Sequence, residues 1–287
     1  MHMNKLTKDS TIRLTNGTEI PVIGLGVWKA EDGAEVEAAI GHALDAGYRL
    51  IDTAMIYGNE EGVGNAIRNS GVPREDIFVT TKLWNEDQGY ENALRAIDTS
   101  LGLLGLDYVD LYLIHWPGAG NIWSGKALNK REETWKAMEE IHASGKAKAI
   151  GVSNYTVRHL EEMKKYAKIK PAVNQVEFHP FLYQEELLAY CKDAGIALEA
   201  YSPLARGEKL ADPRVTEIAK KYGKSNAQVF IRWGLQHGCI VIPKSVREAR
   251  IKENIDVFDF EISPEDMKAI DALNENLHIT WDPSTIE

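Results

Sequence analysis

Cysteine is nearly absent: the chain carries two, Cys191 and Cys239, in separate apolar or amphipathic segments, with no CxxC and no histidine at ligand spacing. That excludes a disulfide framework and a thiolate metal site. Both thiols are expected to be small buried side chains in a reducing, cytoplasmic compartment. No run of apolar residues approaches the ~18 needed to span a bilayer, and the polar start MHMNKLTKDS lacks the apolar stretch of a signal peptide. No membrane partner is expected. Positive charge is in deficit, with 33 Lys and Arg against 43 Asp and Glu, a formal charge of −10. Nucleic-acid binding needs a concentrated basic footprint and is disfavoured. The sequence also lacks a Ser/Pro-rich linker, a low-complexity tract and any long block of like charge, so residues 1–287 read as a single domain.

What is present is an alternation. TIRLTNGTEIPVIG holds two short strands around Asn16-Gly17, a dipeptide that accepts positive φ at both centres of a type I′ turn, and predicts an N-terminal hairpin. Eight apolar runs follow, at residues 21–28, 48–54, 77–84, 108–116, 147–154, 171–178, 196–202 and 239–245. Helix-period segments such as GAEVEAAIGHALDAG, ENALRAIDTSLGLLG, REETWKAMEEIHASG and QEELLAYCKDAG lie between them, several closed by a glycine suited to a C′ position. Nearly continuous apolar strands alternating with helices predict parallel strands closed into an α/β (β/α)8 barrel, a TIM barrel with the hairpin capping its bottom. ADPRVTEIAKKYG, SNAQVFIRWGLQHG and SPEDMKAIDALN exceed the eightfold count, and two of these three are expected to be additional helices. A doubly wound sheet would need a phosphate-binding glycine fingerprint, and Gly24-Leu-Gly26 fails it because Lys29 stands where the third glycine belongs.

Polar residues interrupt this pattern at informative places. Asp52 ends YRLID, Tyr57 follows in the next loop, Lys82 ends IFVTTK and His115 ends VDLYLIH. Barrel strands all end at one rim, so the four would meet there. A phenol titrates near pH 10 when free, and a neighbouring cation such as Lys82 favours its ionised form. Asp52 would fix the Lys82 ammonium, and a neutral His115 could orient a substrate carbonyl. Such a set could protonate a developing alkoxide, while the hydride for a carbonyl reduction must come from a nicotinamide.

DTAMIYGNEEGVG, TTKLWN, YLIHWP, GVSNY, NQVEFHP, EAYSPLA and IPKSVREARIKEN stand in the order and spacing of the aldo-keto reductase superfamily. The resemblance runs from about Ile20 to Asn276 and is nearest to the bacterial 2,5-diketo-D-gluconate and glyoxal or methylglyoxal reductases. It implies a TIM-barrel, NADPH-dependent oxidoreductase that reduces small aldehydes, ketoaldehydes or ketones and acts as a monomer. It also implies roles by position. Asp52, Tyr57, Lys82 and His115 match the catalytic four, with Tyr57 the proton donor. Ser153, Asn154 and Gln175 match contacts to the nicotinamide carboxamide, and Tyr201 the ring on which the nicotinamide stacks; Ser202, Leu204 and Val246 fall in the matching cofactor segments. Lys244, Ser245 and Arg250 match the clamp on the adenosine 2′-phosphate, and Glu253 and Asn254 the adenine contacts. Trp28, Trp84 and Trp116 match aromatic walls of the substrate pocket. The loop at 116–130 and the tail after Asn276 are shorter than in mammalian relatives, which implies an open pocket. Met55 and Gly234 depart from residues common in relatives and leave the pocket shape open.

Plainer roles exist for each residue. Asp52 and Lys82 could form a structural ion pair, His115 a satisfied rim histidine, and Lys244 and Arg250 solvated surface charges. Their joint placement favours a site. Trp135 and Trp233 are expected in helix packing, and Trp281 lacks a strand-end position. His115, His179 and Asp52 do not suggest a metal hydrolase, because the His-x-His of an early strand is missing and Lys82 would compete with a cation. Two functional classes remain: a carbonyl reductase, and a nicotinamide-binding regulatory or sensor protein with slow turnover.

Overall fold

A computed structural model describes residues 6–122 and 128–286. A short hairpin, β1 (Thr11–Arg13) with β2 (Glu19–Pro21), pairs antiparallel. Eight parallel strands follow: β3 (Leu25–Gly26), β4 (Leu50–Asp52), β5 (Phe78–Leu83), β6 (Val109–Ile114), β7 (Ala147–Ser153), β8 (Val173–Glu177), β9 (Ala197–Tyr201) and β10 (Ile240–Ile242). Each pairs with the next in sequence. The first and last meet through parallel bridges, Ile23 with Val241 and Gly26 with Lys244, which close the barrel. Every residue of β5 and β6 is buried, as expected of strands enclosed on both faces. The barrel and its hairpin are therefore as the sequence predicts.

The hairpin turn differs from expectation. Only Gly17 has positive φ, at 88°. Gly17 N–H donates to Leu14 O at 2.9 Å and Leu14 N–H to Thr18 O at 2.8 Å, which makes a three-residue loop with glycine in the left-handed position rather than a two-residue type I′ turn. Asn16 escapes positive φ because its side chain spans the loop, accepting from Thr18 N–H at 3.1 Å and donating to Lys148 O at 2.7 Å. Leu14 and Ile20 pack against Leu50, Phe78, Leu111 and Val173, sealing the barrel's lower end.

Crossover helices are α1 (Ala34–Ala46), α2 (Glu60–Asn69), α3 (Tyr90–Leu104), α4 (Arg131–Ala143), α5 (Val157–Met163) and α6 (Glu185–Ala194). Two helices, α7 (Pro213–Tyr222) and α8 (Asn226–Gln236), lie between β9 and β10. Their starts are written locally: Asp212 caps α7 ahead of Pro213, and Ser225 with Gln228 forms a capping box on α8, each satisfying amides that a helix start leaves unpaired. After β10 come α9 (Glu248–Ile255) and α10 (Pro264–Asp271). The described residues thus hold ten α-helices against eight barrel strands, two in excess, which agrees with the sequence count. Trp135 and Trp233 pack within the helical layer, their indole N–H groups bonded to Ile169 O and Asp271 Oδ1. Both cysteines are free and buried. Among the described residues no helix is long and apolar enough to cross a membrane.

Candidate active site

The C-terminal rim of the barrel opens into a cavity of about 840 Å³. Parallel register decides what faces it. Asp52 ends β4 beside Gly26 and Thr80, Lys82 lies near the end of β5, and Ser153, Gln175 and Glu199 stand in one row across β7, β8 and β9. His115 follows β6 directly. Tyr57 sits on the 3-10 turn Met55–Tyr57 after β4, closed by Gly58 at φ 67°. The buried Asn59 holds that turn, donating to Val27 O and Ala30 O at 3.0 and 3.1 Å and accepting from Thr53 Oγ1 at 2.8 Å. One asparagine thus joins the loop of Tyr57 to the loop of Trp28.

The four polar residues meet. Lys82 Nζ donates to Asp52 Oδ1 at 2.7 Å, to Thr53 O at 2.8 Å and to Tyr57 Oη at 3.3 Å. Its side chain has no exposed surface, so it is an ammonium with all three protons directed. The Tyr57 and His115 rings lie 5.8 Å apart edge to face, and Trp84 stands 5.2 Å from His115 on another side. Burial is the largest single influence on Lys82 and would lower its pKa, but the charge and hydrogen bond of Asp52, with Tyr57 and Glu199, together outweigh it and hold the group above its usual value. For Tyr57 burial is the largest influence and raises the pKa, Lys82 pulls it down, and Asp52 pushes it up again; the net direction is up. The lysine's pull, anticipated from the sequence, is present but smaller than the effect of burial. His115 is pushed well below 6.5, first by burial and then by the Lys82 charge, so at neutral pH it is uncharged.

Behind this group lies Glu199, which the sequence reading did not single out. Gln175 Nε2 donates to Asp52 Oδ2 at 2.7 Å and to Glu199 Oε2 at 2.8 Å. Two carboxyls therefore share one amide. Burial, and then the nearby Asp52 charge, push Glu199 up to about 8. An acid inside the apolar run IALEAY was the available signal, the same kind that marked Asp52.

The remaining candidates divide. Ser153 Oγ donates to Gln175 O at 2.8 Å, Asn154 Nδ2 to His115 O at 2.9 Å, and Tyr201 Oη to Asn154 Oδ1 at 2.8 Å. Ser202 and Leu204 line the same cavity, as do Lys244 and Arg250 at its far end. Neither Lys244 nor Arg250 has a carboxylate partner among the described residues. Ser245, Val246, Glu253 and Asn254 do not line the cavity: Ser245 and Asn254 are buried, Val246 and Glu253 half-buried, in the segment around Arg250. The left-handed region holds Asn154 at φ 63°, Ser202 at 48°, Ala205 at 46° and Arg206 at 49°. Non-glycine residues adopt it at a cost, and such strain gathers at functional sites.

Trp28, Trp84 and Trp116 all line the cavity, and so does Trp281, whose ring centroid lies 5.6 Å from that of Trp116. Trp281 corrects the sequence reading, which set it aside for lacking a strand end; it arrives on the irregular tail, where no periodicity marks position. Arg206 and Lys29 were likewise missed. They stack over Trp28, with the guanidinium 4.3 Å and the ammonium 4.5 Å from the ring centroid. The open-pocket expectation for the loop at 116–130 falls partly on residues 123–127, outside the described residues, while the tail contributes a wall rather than leaving a gap. Among the described residues no cluster of three or more His, Cys, Asp or Glu is arranged to hold a metal.

Comparison with known proteins places this site in context. Residues 22–275 match the model of the aldo/keto reductase family. A glyoxal reductase of Bacillus subtilis is 55% identical over 276 residues, covering 96% of this chain and 97% of the relative. An aldo/keto reductase structure from Brucella melitensis superposes with a TM-score of 0.86 at 50% identity, over 92% of this chain and 99% of that one. A Bombyx mori aldo-keto reductase solved in complex with NADP gives a TM-score of 0.88 at 38% identity, over 96% of both chains. With a matched model across most of its length and relatives this similar over their full span, the chain belongs to the aldo/keto reductase family of oxidoreductases.

Proposed function

We propose that this protein is a single-barrel, NADPH-dependent reductase that converts small aldehydes, ketoaldehydes or ketones to alcohols, with Tyr57 as proton donor. The observation that carries the reading is the Lys82 ammonium, fully buried and bonded at once to the Asp52 carboxylate and the Tyr57 hydroxyl. An ion pair serving only the fold has no need to point its third proton at a phenol on the cavity floor.

The residues present suit the cofactor. Lys244 and Arg250, exposed and without carboxylate partners among the described residues, offer a charged fork to a 2′-phosphate that NAD lacks. The Tyr201 ring, fixed through its hydroxyl to Asn154, offers a flat platform. Gln175 spends its amide protons on Asp52 and Glu199, which leaves its carbonyl oxygen as the acceptor turned to a ligand. When bound, NADPH supplies the hydride.

The protein's own part is orientation and proton transfer. His115 is neutral and its Nδ1 is buried without a partner, so a proton on Nε2 is the arrangement that avoids an orphaned donor. That proton can bond a carbonyl oxygen and hold it toward Tyr57. As negative charge develops on the oxygen, Tyr57 releases its proton to it, and Lys82 stabilises the phenolate left behind. Asp52 keeps the ammonium in place. Trp28, Trp84, Trp116 and Trp281 exclude water and give aromatic faces to substrates of varied shape, and the formal charge of −10 favours small molecules over nucleic acid.

The test is NADPH oxidation with methylglyoxal, phenylglyoxal, an aromatic aldehyde and a diketo sugar acid, beside NADPH titration by fluorescence. Turnover on any of the panel supports the reading. Tight binding without turnover on all of them would instead support a cofactor sensor.

A further inference from the structure

Among its described residues the tail after α10 has no strand and one short 3-10 turn, Pro283–Thr285, yet it delivers Trp281 to the cavity wall. Backbone bonds from Glu275 and Leu277 to Phe181 O hold its first part. The end of the tail is held by Arg158 and His159, which bond Ile286 O, and the stretch between, just before Trp281, is held by one carboxylate. Glu177, at the end of β8 and 3% exposed, accepts from Ile279 N–H at 2.8 Å and His179 Nε2 at 3.0 Å on Oε1, and from Thr280 N–H at 2.9 Å and Thr280 Oγ1 on Oε2. Four donors converge on one buried carboxylate. Burial alone would raise its pKa, but these bonds outweigh it and hold Glu177 below the usual carboxylate range, so it is charged and its bonds are of the stronger, charge-assisted kind.

The clamp sits one residue from Trp281. Glu177 also stands opposite Tyr201 in the β8–β9 register, and Thr280 Oγ1 lies 2.9 Å from Tyr201 Oη. Cofactor platform and substrate wall are thereby referred to the same carboxylate.

We propose that Glu177 is a specificity-determining positioning residue: by clamping Ile279 and Thr280 it sets Trp281 against Trp116, and so fixes the part of the pocket that grips bulky aromatic carbonyl substrates. The proposal rests on the carbonyl-reductase reading. A residue that only held the barrel together would affect all substrates alike; this one acts on those large enough to reach Trp281.

The test compares wild type, Glu177→Gln, Trp281→Ala and the double variant, with kcat and KM for phenylglyoxal and for methylglyoxal, and hydrogen exchange at the amides of 279 and 280. Glu177→Gln keeps the shape but turns an NH2 toward donors. Glu177→Gln and Trp281→Ala should each raise the phenylglyoxal-to-methylglyoxal KM ratio roughly tenfold, a loss of one apolar contact surface. The double variant should add nothing beyond Trp281→Ala, because both act through one ring. Exchange at 279 and 280 should accelerate while the barrel strands stay protected. An unchanged KM ratio in Glu177→Gln, or effects that multiply in the double variant, would overturn the proposal. Should Glu177→Gln fail to fold, Thr280→Val removes one clamp bond in a similar volume and must move the ratio in the same direction. A wild type inactive on both substrates would fail the reductase reading, while the exchange measurement would still decide whether Glu177 holds the tail.

Discussion

Replacing Glu199 by Gln should make the protein more stable. Glu199 is fully buried, bonded to Gln175 Nε2 on one oxygen and without a partner on the other. Its pKa is pushed up from 4.5 to about 8. Between those values the folded protein holds a proton that the unfolded chain has released, so the free energy of unfolding falls as pH rises through that window and is level outside it. At ~1.36 kcal/mol per pH unit, the stability forgone between 4.5 and pH 7 is on the order of a few kcal/mol, and it is much smaller at pH 5. Glutamine mimics the protonated acid and keeps an acceptor for Gln175, but its NH2 buries two unpaired donors where the carboxylic acid buries one, a pH-independent cost of about 1 kcal/mol that trims the gain without changing how it rises with pH. Urea unfolding of both proteins at pH 5, 6, 7 and 8 measures the difference. A gain for Glu199→Gln that widens with pH is the expected result. A pH-independent difference would mean that Glu199 is ionised when folded and that burial does not hold its proton.

Other outcomes follow from the same structure. Tyr57→Phe should retain NADPH affinity and lose about 10²- to 10⁴-fold in kcat, since the ring stays and only the proton donor goes. Arg250→Ala should weaken NADPH by roughly 10- to 100-fold, the worth of a charged hydrogen bond, while NADH affinity stays within about twofold; equal losses for both would remove the 2′-phosphate clamp. Ile20→Ala, at the sealed lower end and fully buried, should cost about 2–4 kcal/mol in urea unfolding with KM unchanged, because the rim lies at the opposite end of the strands.

How much of this was legible in the sequence depends on whether position was encoded locally. Asp52, Lys82 and His115 stood out because a polar residue ending an apolar run is costly unless used, and parallel strands of one barrel carry such ends to one rim. The two extra helices were legible through their caps and period. Asn16-Gly17 marked a hairpin but not its turn, since the choice between two- and three-residue loops was settled by where the Asn16 side chain found partners, one of them the distant Lys148 carbonyl. Trp281 was invisible because a tail without periodicity takes its place from the partner that holds it, and that partner, Glu177, is far away in sequence. Val246, Glu253 and Asn254 follow from the family resemblance alone; the cavity wall does not include them. Glu199 was visible in principle, but a lone acid in a strand gives no hint that it shares an amide with Asp52.

The central claim is that Tyr57 is the proton donor of a carbonyl reduction driven by NADPH. The direct measurement is the rate of NADPH oxidation with methylglyoxal and phenylglyoxal by wild type and Tyr57→Phe, with NADPH affinity determined on both by fluorescence quenching. The account predicts turnover by the wild type, equal affinities, and a variant slower by about 10²-fold or more. Wild-type rates in Tyr57→Phe would contradict it.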